Sequence, residues 1–174
     1  MKIPDPLMTD RLIIRPYEED DFGAFYDFLS DPEATRFLRF TPEQRTPEGA
    51  RSFFDHVIES YAGIKPIIAL AIIHKETATY IGSCGLSPLA DGRGVECYYV
   101  LLPRYWGRGF AVEATTALFE YAFSQLRIDM ILAVIDQGND SSRRVAEQMG
   151  MEDQGLVYDE AVSAYVNHFV LWKG

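Results

Sequence analysis

The spacing of apolar and polar positions changes period along this chain. Residues 12–14, Leu-Ile-Ile between Arg11 and Arg15, predict a short first strand closed by Pro16. Residues 18–30 predict a helix: Phe22, Phe25, Tyr26 and Leu29 recur at helical spacing, the start is acidic, and Asp31-Pro32 stops it. A second helix follows Thr46-Pro47, where Thr caps and Pro takes the first position. Its apolar face is Phe53, Phe54, Val57, Ile58 and Tyr61, and Gly63 closes it. The period then shortens. Residues 67–74, 80–86 and 95–102 predict three strands, with a turn at 91–94 between the second and third. Such short connections imply antiparallel pairing.

Residues 108–126 predict a helix with Ala114, Ala117, Leu118, Tyr121 and Ala122 on one face. Residues 130–135 form a continuous apolar run, expected to be buried on both faces. A short helix over 139–149 ends at Gly150, and 157–158 with 165–172 complete a last pair of strands. The order β-α-α-β-β-β-α-β-α-β-β describes an α/β (α+β) chain: a mixed, mostly antiparallel central sheet of about seven strands flanked by helices.

Composition narrows what this fold does. The chain has 174 residues, read as one domain over 1–174, and 48% of them are hydrophobic, which excludes disorder along its whole length. Sixteen Lys and Arg against 26 Asp and Glu leave a net charge of -10. That field repels phosphate backbones, so no nucleic-acid partner is expected, and it favours a cation such as an amine. An anionic ligand needs a local device. Cys84, Cys97, His56, His74 and His168 have no metal-site spacing, so no metal is expected, and the cysteines are read as buried thiols. No apolar leader follows Met1, and the run 67–73 is far below the roughly 20 residues of a membrane span, so the expectation is a cytoplasmic protein without membrane contact.

That device is found at 104–111, Arg-Tyr-Trp-Gly-Arg-Gly-Phe-Ala, between a strand end and a helix start. Gly107 and Gly109 permit a tight turn that exposes consecutive N–H groups, with the helix dipole behind them and Arg104 and Arg108 beside them. Convergent donors suit a pyrophosphate. No Walker A string is present, and a dinucleotide fingerprint fails at Val112. The pattern [QR]-x-x-G-x-[GA] is met by Arg104, Gly107 and Gly109. A helix start that only needed glycine to turn is the plain alternative.

Four stretches, 9–16, 81–86, 95–114 and 139–151, lie in the order of a known family. In them the chain resembles the GNAT superfamily of acetyl-CoA-dependent N-acetyltransferases, and most closely the branch of ribosomal-protein N-terminal alanine acetyltransferases (RimJ/RimL-like). The resemblance implies the acyl-CoA N-acyltransferase fold and acetyl-CoA as cosubstrate. The CoA pyrophosphate would lie on Arg104, Gly107, Arg108, Gly109, Phe110 and Ala111. The pantetheine arm would run along the strand ending at Leu101 and Leu102, and a backbone N–H on that strand would polarise the thioester. Asn139 matches a second cofactor contact. The amine attacks directly, which needs a base and an acid. Glu96, on the cofactor strand and pointing opposite to Val95 and Cys97, is the candidate base; a solvent-facing carboxylate is its alternative reading. Ser142 is the candidate hydrogen-bond donor to the sulfur, with Tyr99 and Tyr105 as other acids. Ser142 and Asn139 also suit helix capping. Tyr98, Tyr99, Tyr105 and Trp106 form an aromatic group for a groove or for core packing. Arg143 and Arg144 suit phosphates, or a solvated face with Arg143 paired to Glu147.

The implied partner is a primary-amine acceptor, a protein N-terminus or a small molecule, with residues 37–47 and Arg36, Arg39 and Arg45 as an acceptor-side lid. Two other functions compete: a non-catalytic acyl-CoA sensor with this fold, and a nucleotide-binding α/β protein, which the antiparallel hairpins disfavour. Tyr165, Val166, Phe169 and Val170 suit either a homodimer contact or closure of the sheet.

Overall fold

A computed structural model describes residues 1–64, 66–90, 92–160 and 162–174. Its elements in chain order are β1 (Leu7–Met8), β2 (Leu12–Pro16), α1 (Phe22–Ser30), α2 (Pro47–Ser60), β3 (Ile68–His74), β4 (Thr79–Pro88), β5 (Val95–Leu101), α3 (Phe110–Ser124), β6 (Met130–Asp136), α4 (Asp140–Gln148), β7 (Glu152–Asp159) and β8 (Ala164–Trp172). The strands form one eight-stranded sheet in the order β1-β2-β3-β4-β5-β6-β8-β7. Neighbours are antiparallel except β5 and β6, which α3 joins by a crossover and which run parallel. The fold is therefore the mixed, mostly antiparallel α/β sheet expected, with β1 as an added two-residue edge paired to β2.

Strand alternation gives the sheet two covered faces. On one, α3 lays Ala114, Leu118 and Ala122 over Leu12, Ile14, Leu70, Ile131 and Phe169. On the other, α1 and α2 lay Phe25, Phe28, Leu29, Phe54 and Val57 over Ala69, Ala71 and Ile73. β3 lies under both, and six of its seven residues are buried. β6 does not. The expectation of burial on both faces fails there: Ile131, Ala133 and Ile135 are buried, whereas Met130, Leu132, Val134 and Asp136 are only partly covered. The core under α1 and α2 contains no buried β6 residue among the described residues.

Local chemistry explains the other boundaries. The acidic start at 18–30 is a separate 3-10 turn, Glu19–Asp21, before α1. Asp21 accepts the Glu18 N–H at 2.8 Å and is clamped by both terminal nitrogens of Arg15 at 2.6 and 3.0 Å, which fixes a tighter turn than an α-helix allows. Thr46 caps α2 by accepting the Gly49 N–H at 3.1 Å, as its sequence position predicts. β7 is longer than 157–158 because pairing with β8, not apolar content, defines it. Of the turn at 91–94, Asp91 lies outside the described residues; Gly92 takes φ +70° and donates to Leu89 O at 3.0 Å. Cys84 and Cys97 are free and buried. No helix among the described residues is long and apolar enough to cross a membrane.

Candidate active site

The parallel pairing of β5 with β6 is brief. It holds Val95, Glu96 and Cys97 against Ile131, Leu132 and Ala133 and then stops. Beyond that point β5 continues against β4 only, and β6 against β8 only, so the two strands part into a wedge. The backbone groups facing the wedge follow from register. Leu102 N–H donates to Ile81 O at 2.9 Å, so in this antiparallel pair residues 98 and 100 also bond toward β4, and Tyr99 and Leu101 point their backbone groups the other way. The Leu101 carbonyl is taken by the Trp106 indole N–H at 2.7 Å. The N–H groups of Tyr99 and Leu101 are left facing the wedge. Leu102, expected beside Leu101, is not part of this surface. Its N–H is spent on Ile81, its carbonyl accepts the Tyr105 N–H at 2.9 Å, and its side chain is buried in the second core.

A cleft of about 860 Å³ occupies the wedge and continues to the start of α3. There the chain turns through Gly107 and Gly109, with φ +69° and +79°. Both are left-handed conformations, which glycine adopts without strain. A Cβ at Gly107 would meet nothing within 4 Å. Because the first α3 bond is Glu113 N–H to Gly109 O, the N–H groups of residues 107–112 have no acceptor among the described residues. These six donors lie at the positive end of a fifteen-residue helix. Gly107, Gly109, Phe110 and Ala111 line the cleft; Arg104 and Arg108 do not. Their guanidinium carbons lie 5.1 and 5.9 Å from the Tyr105 ring centroid, flanking the loop instead of pointing into it. Arg144, left open by its sequence context, does line the cleft. Arg143 pairs instead with Asp153 at 3.3 Å and Glu147 at 3.9 Å.

Strand parity divides the cleft. Tyr99, Asn139 and Ser142 belong to the α3–α4 side, and Glu96, Tyr98, Val134 and Asp136 to the other. Asn139 caps α4: its side-chain oxygen accepts the Ser142 N–H at 3.2 Å and the Ser141 hydroxyl at 3.0 Å. The Ser142 hydroxyl has no hydrogen-bond partner among the described residues, so its proton is available to a ligand. Tyr99 differs. Its hydroxyl donates to Ser142 O at 2.9 Å, and burial raises its pKa far above the ordinary range, so its proton is held by the protein.

Glu96 stands on the opposite wall. Its side chain reaches solvent, yet surrounding protein removes enough water to raise its pKa. Asp159 adds to that rise and His168 opposes it. His168 is itself 3.3 Å from Asp159. Tyr98, Tyr99, Tyr105 and Trp106 all line the cleft, and Tyr98, Tyr99 and Tyr105 also pack against the cores, so the groove and packing readings of this group both hold. Sequence reasoning missed Asp136, which Arg39 reaches across 97 positions at 2.6 Å. Of the lid residues, Arg36, Phe37, Leu38 and Arg39 line the cleft, whereas Arg45 turns back to Thr35 at 2.7 Å. No group of three or more potential metal ligands is found among the described residues.

Comparison with known proteins bears on this geometry. Residues 11–152 match the acetyltransferase (GNAT) domain family. The chain is 30% identical over 159 residues to the uncharacterised N-acetyltransferase p20 of Bacillus licheniformis, covering 89% of this chain and 86% of that one. A provisionally named ribosomal-protein-serine acetyltransferase of Vibrio cholerae superposes with a TM-score of 0.83 at 18% identity, over 99% of this chain and 100% of the other. The spermidine N-acetyltransferase of Vibrio cholerae, solved with CoA and spermine, gives a TM-score of 0.78 at 16% identity over 94% and 96% of the two chains.

Proposed function

The chain belongs to the GNAT acetyltransferase family, and from that premise we propose that it transfers the acetyl group of acetyl-CoA to a primary amine, either a protein N-terminus or a small molecule. The observation that carries this reading is the wedge between β5 and β6, lined from both faces of the sheet and continuous with the N–H groups of residues 107–112, which have no acceptor among the described residues. The loop donors and Arg144 hold the pyrophosphate, and Arg104 and Arg108 add positive potential from outside the cleft. The pantetheine arm lies along the wedge. The N–H of Tyr99, nearer to Glu96 than that of Leu101, polarises the thioester carbonyl and then holds the oxyanion.

The division of the cleft supports a division of the proton transfers between its two walls. The amine enters on the α1–α2 side, where Glu96 removes a proton from the ammonium, directly or through one water. Its raised pKa improves it as a base near neutral pH. The amine nitrogen forms a bond to the acetyl carbon, and the C–S bond breaks. The thiolate emerges on the α4 side and receives the proton that the nitrogen gives up on becoming an amide, relayed through the Ser142 hydroxyl, which takes up that proton as it passes its own to sulfur. Tyr99 is excluded as the acid because its proton is committed to Ser142 O.

Acetyl-CoA turnover over a panel of amines, with Glu96→Gln beside the parent, tests the scheme. The parent rate should rise with pH through a limb absent in Glu96→Gln, whose kcat should be roughly 100-fold lower or less. Full rate in that variant at every pH would remove Glu96 as the base. CoA binding without thiol release for any amine would favour a sensor.

A further inference from the structure

The donors of residues 107–112 are useful only if the loop is held open before a ligand arrives, and one side chain from the opposite end of the chain does this. We propose that Arg11, at the β1–β2 turn, is the positioning residue of the anion loop. Its Nη1 donates to the carbonyl of Arg108, between the two left-handed glycines, at 3.0 Å. Its guanidinium carbon lies 4.4 Å from the centroid of Phe110, the first residue of α3. Its Nε and Nη2 grip the Glu113 carboxylate at 2.7 and 2.6 Å. One planar group thus fixes the loop carbonyl, the first helical ring and the first helical turn together.

The anchor behind Arg11 is rigid. Glu113 also accepts the Arg11 backbone N–H at 2.8 Å and the Thr9 hydroxyl at 2.6 Å. Lys75 holds the turn from its other side, through its side chain to Thr9 O and through its N–H to Arg11 O at 2.9 Å. A carboxylate in the first turn of a helix that receives an anion opposes that anion by charge. The Arg11 guanidinium neutralises it and uses it as a fixed post. Arg108 C=O and Gly109 N–H share one trans peptide plane, so turning that carbonyl toward Arg11 turns the Gly109 N–H the opposite way, toward the cleft. Arg11 does not line that cleft, so it acts through the loop and not on the ligand.

This inference rests on the acetyl-CoA reading above, and its test separates the two. Arg11→Lys keeps the charge but has one nitrogen where three are used. Titration calorimetry with CoA should show Kd raised roughly tenfold. The ratio of kcat/KM for acetyl-CoA to that for S-acetyl-pantetheine, which lacks the pyrophosphate, should fall by the same roughly tenfold factor. Glu113→Gln, which loosens the post, should shift both readouts in the same direction and serves if Arg11→Lys does not fold. An unchanged CoA Kd, or an equal loss on both thioesters, would refute the positioning role. Failure of the parent to bind CoA would remove the underlying reading and this inference with it.

Discussion

Glu113 shows how one carboxylate can report on the whole glycine turn. Burial alone would raise its pKa, but the hydrogen bonds from Thr9 and Arg11 and the charge of Arg11 outweigh burial and hold it below the usual carboxylate range. A depressed native pKa means that the unfolded chain binds more protons. Its contribution to stability is therefore complete above the unfolded value near ~4.3 and is lost as pH falls through the lower native value. Glu113→Gln should lose less stability than the parent between about pH 5 and 3, as read from urea midpoints. Identical acid slopes would mean that the network is absent in solution. At this scale the sequence reveals residue type and strand parity. The outward aspect of Glu96 follows from alternation alone. The exclusion of Leu102 does not, because which backbone N–H groups face a wedge depends on the register with β4, a non-local fact. The Arg11 contacts were equally hidden, since their partners lie 97 and 102 positions away.

Among elements, the segment 31–46 between α1 and α2 is tied to β6 by Arg39 and Asp136, at 2.6 Å across the α1–α2 side of the cleft. Both groups are partly solvated, with 47% and 29% of their side-chain surfaces exposed, so the pair is worth little by itself. A double-mutant cycle with Arg39→Gln and Asp136→Asn should give a coupling of about 0.5 kcal/mol at low ionic strength. It should fade toward zero near 1 M salt, where the Debye length is about 3 Å. Zero coupling at low salt would mean that the segment is not tied there. The elements themselves were largely legible. All four helices and seven of the eight strands follow from period, caps and glycine stops. β6 and β7 departed for one reason: local apolar content does not say which face a neighbour covers or how far a partner strand extends.

For the molecule as a whole, the sheet separates two cores that share its strands. Phe28 under α1 and Leu118 in α3 are both essentially fully buried, on opposite faces. Phe28→Ala and Leu118→Ala should each cost about 3 kcal/mol. In a chain of this length that lowers Tm by roughly 6–12 °C. The two costs should add, because the residues belong to separate cores on opposite faces of the sheet, and unfolding should remain a single transition. Two separate transitions in either variant would show that the faces fold independently. The net charge of -10 also has its meaning at this scale. A negative field of this size would favour a cationic ligand, whereas an anionic one would depend on fixed N–H groups at short range.

The sequence by itself determined the periods, the caps, the two left-handed glycines and the parity of β5, because each depends on residues a few positions apart. It therefore determined the fold class and singled out the glycine loop as the candidate anion site. The tertiary structure alone decided where β5 and β6 part, which N–H groups that parting leaves unpaired, and that Arg11 reaches the loop from the far end of the chain. Those depend on strand register and on contacts between residues about a hundred positions apart, which no local pattern encodes.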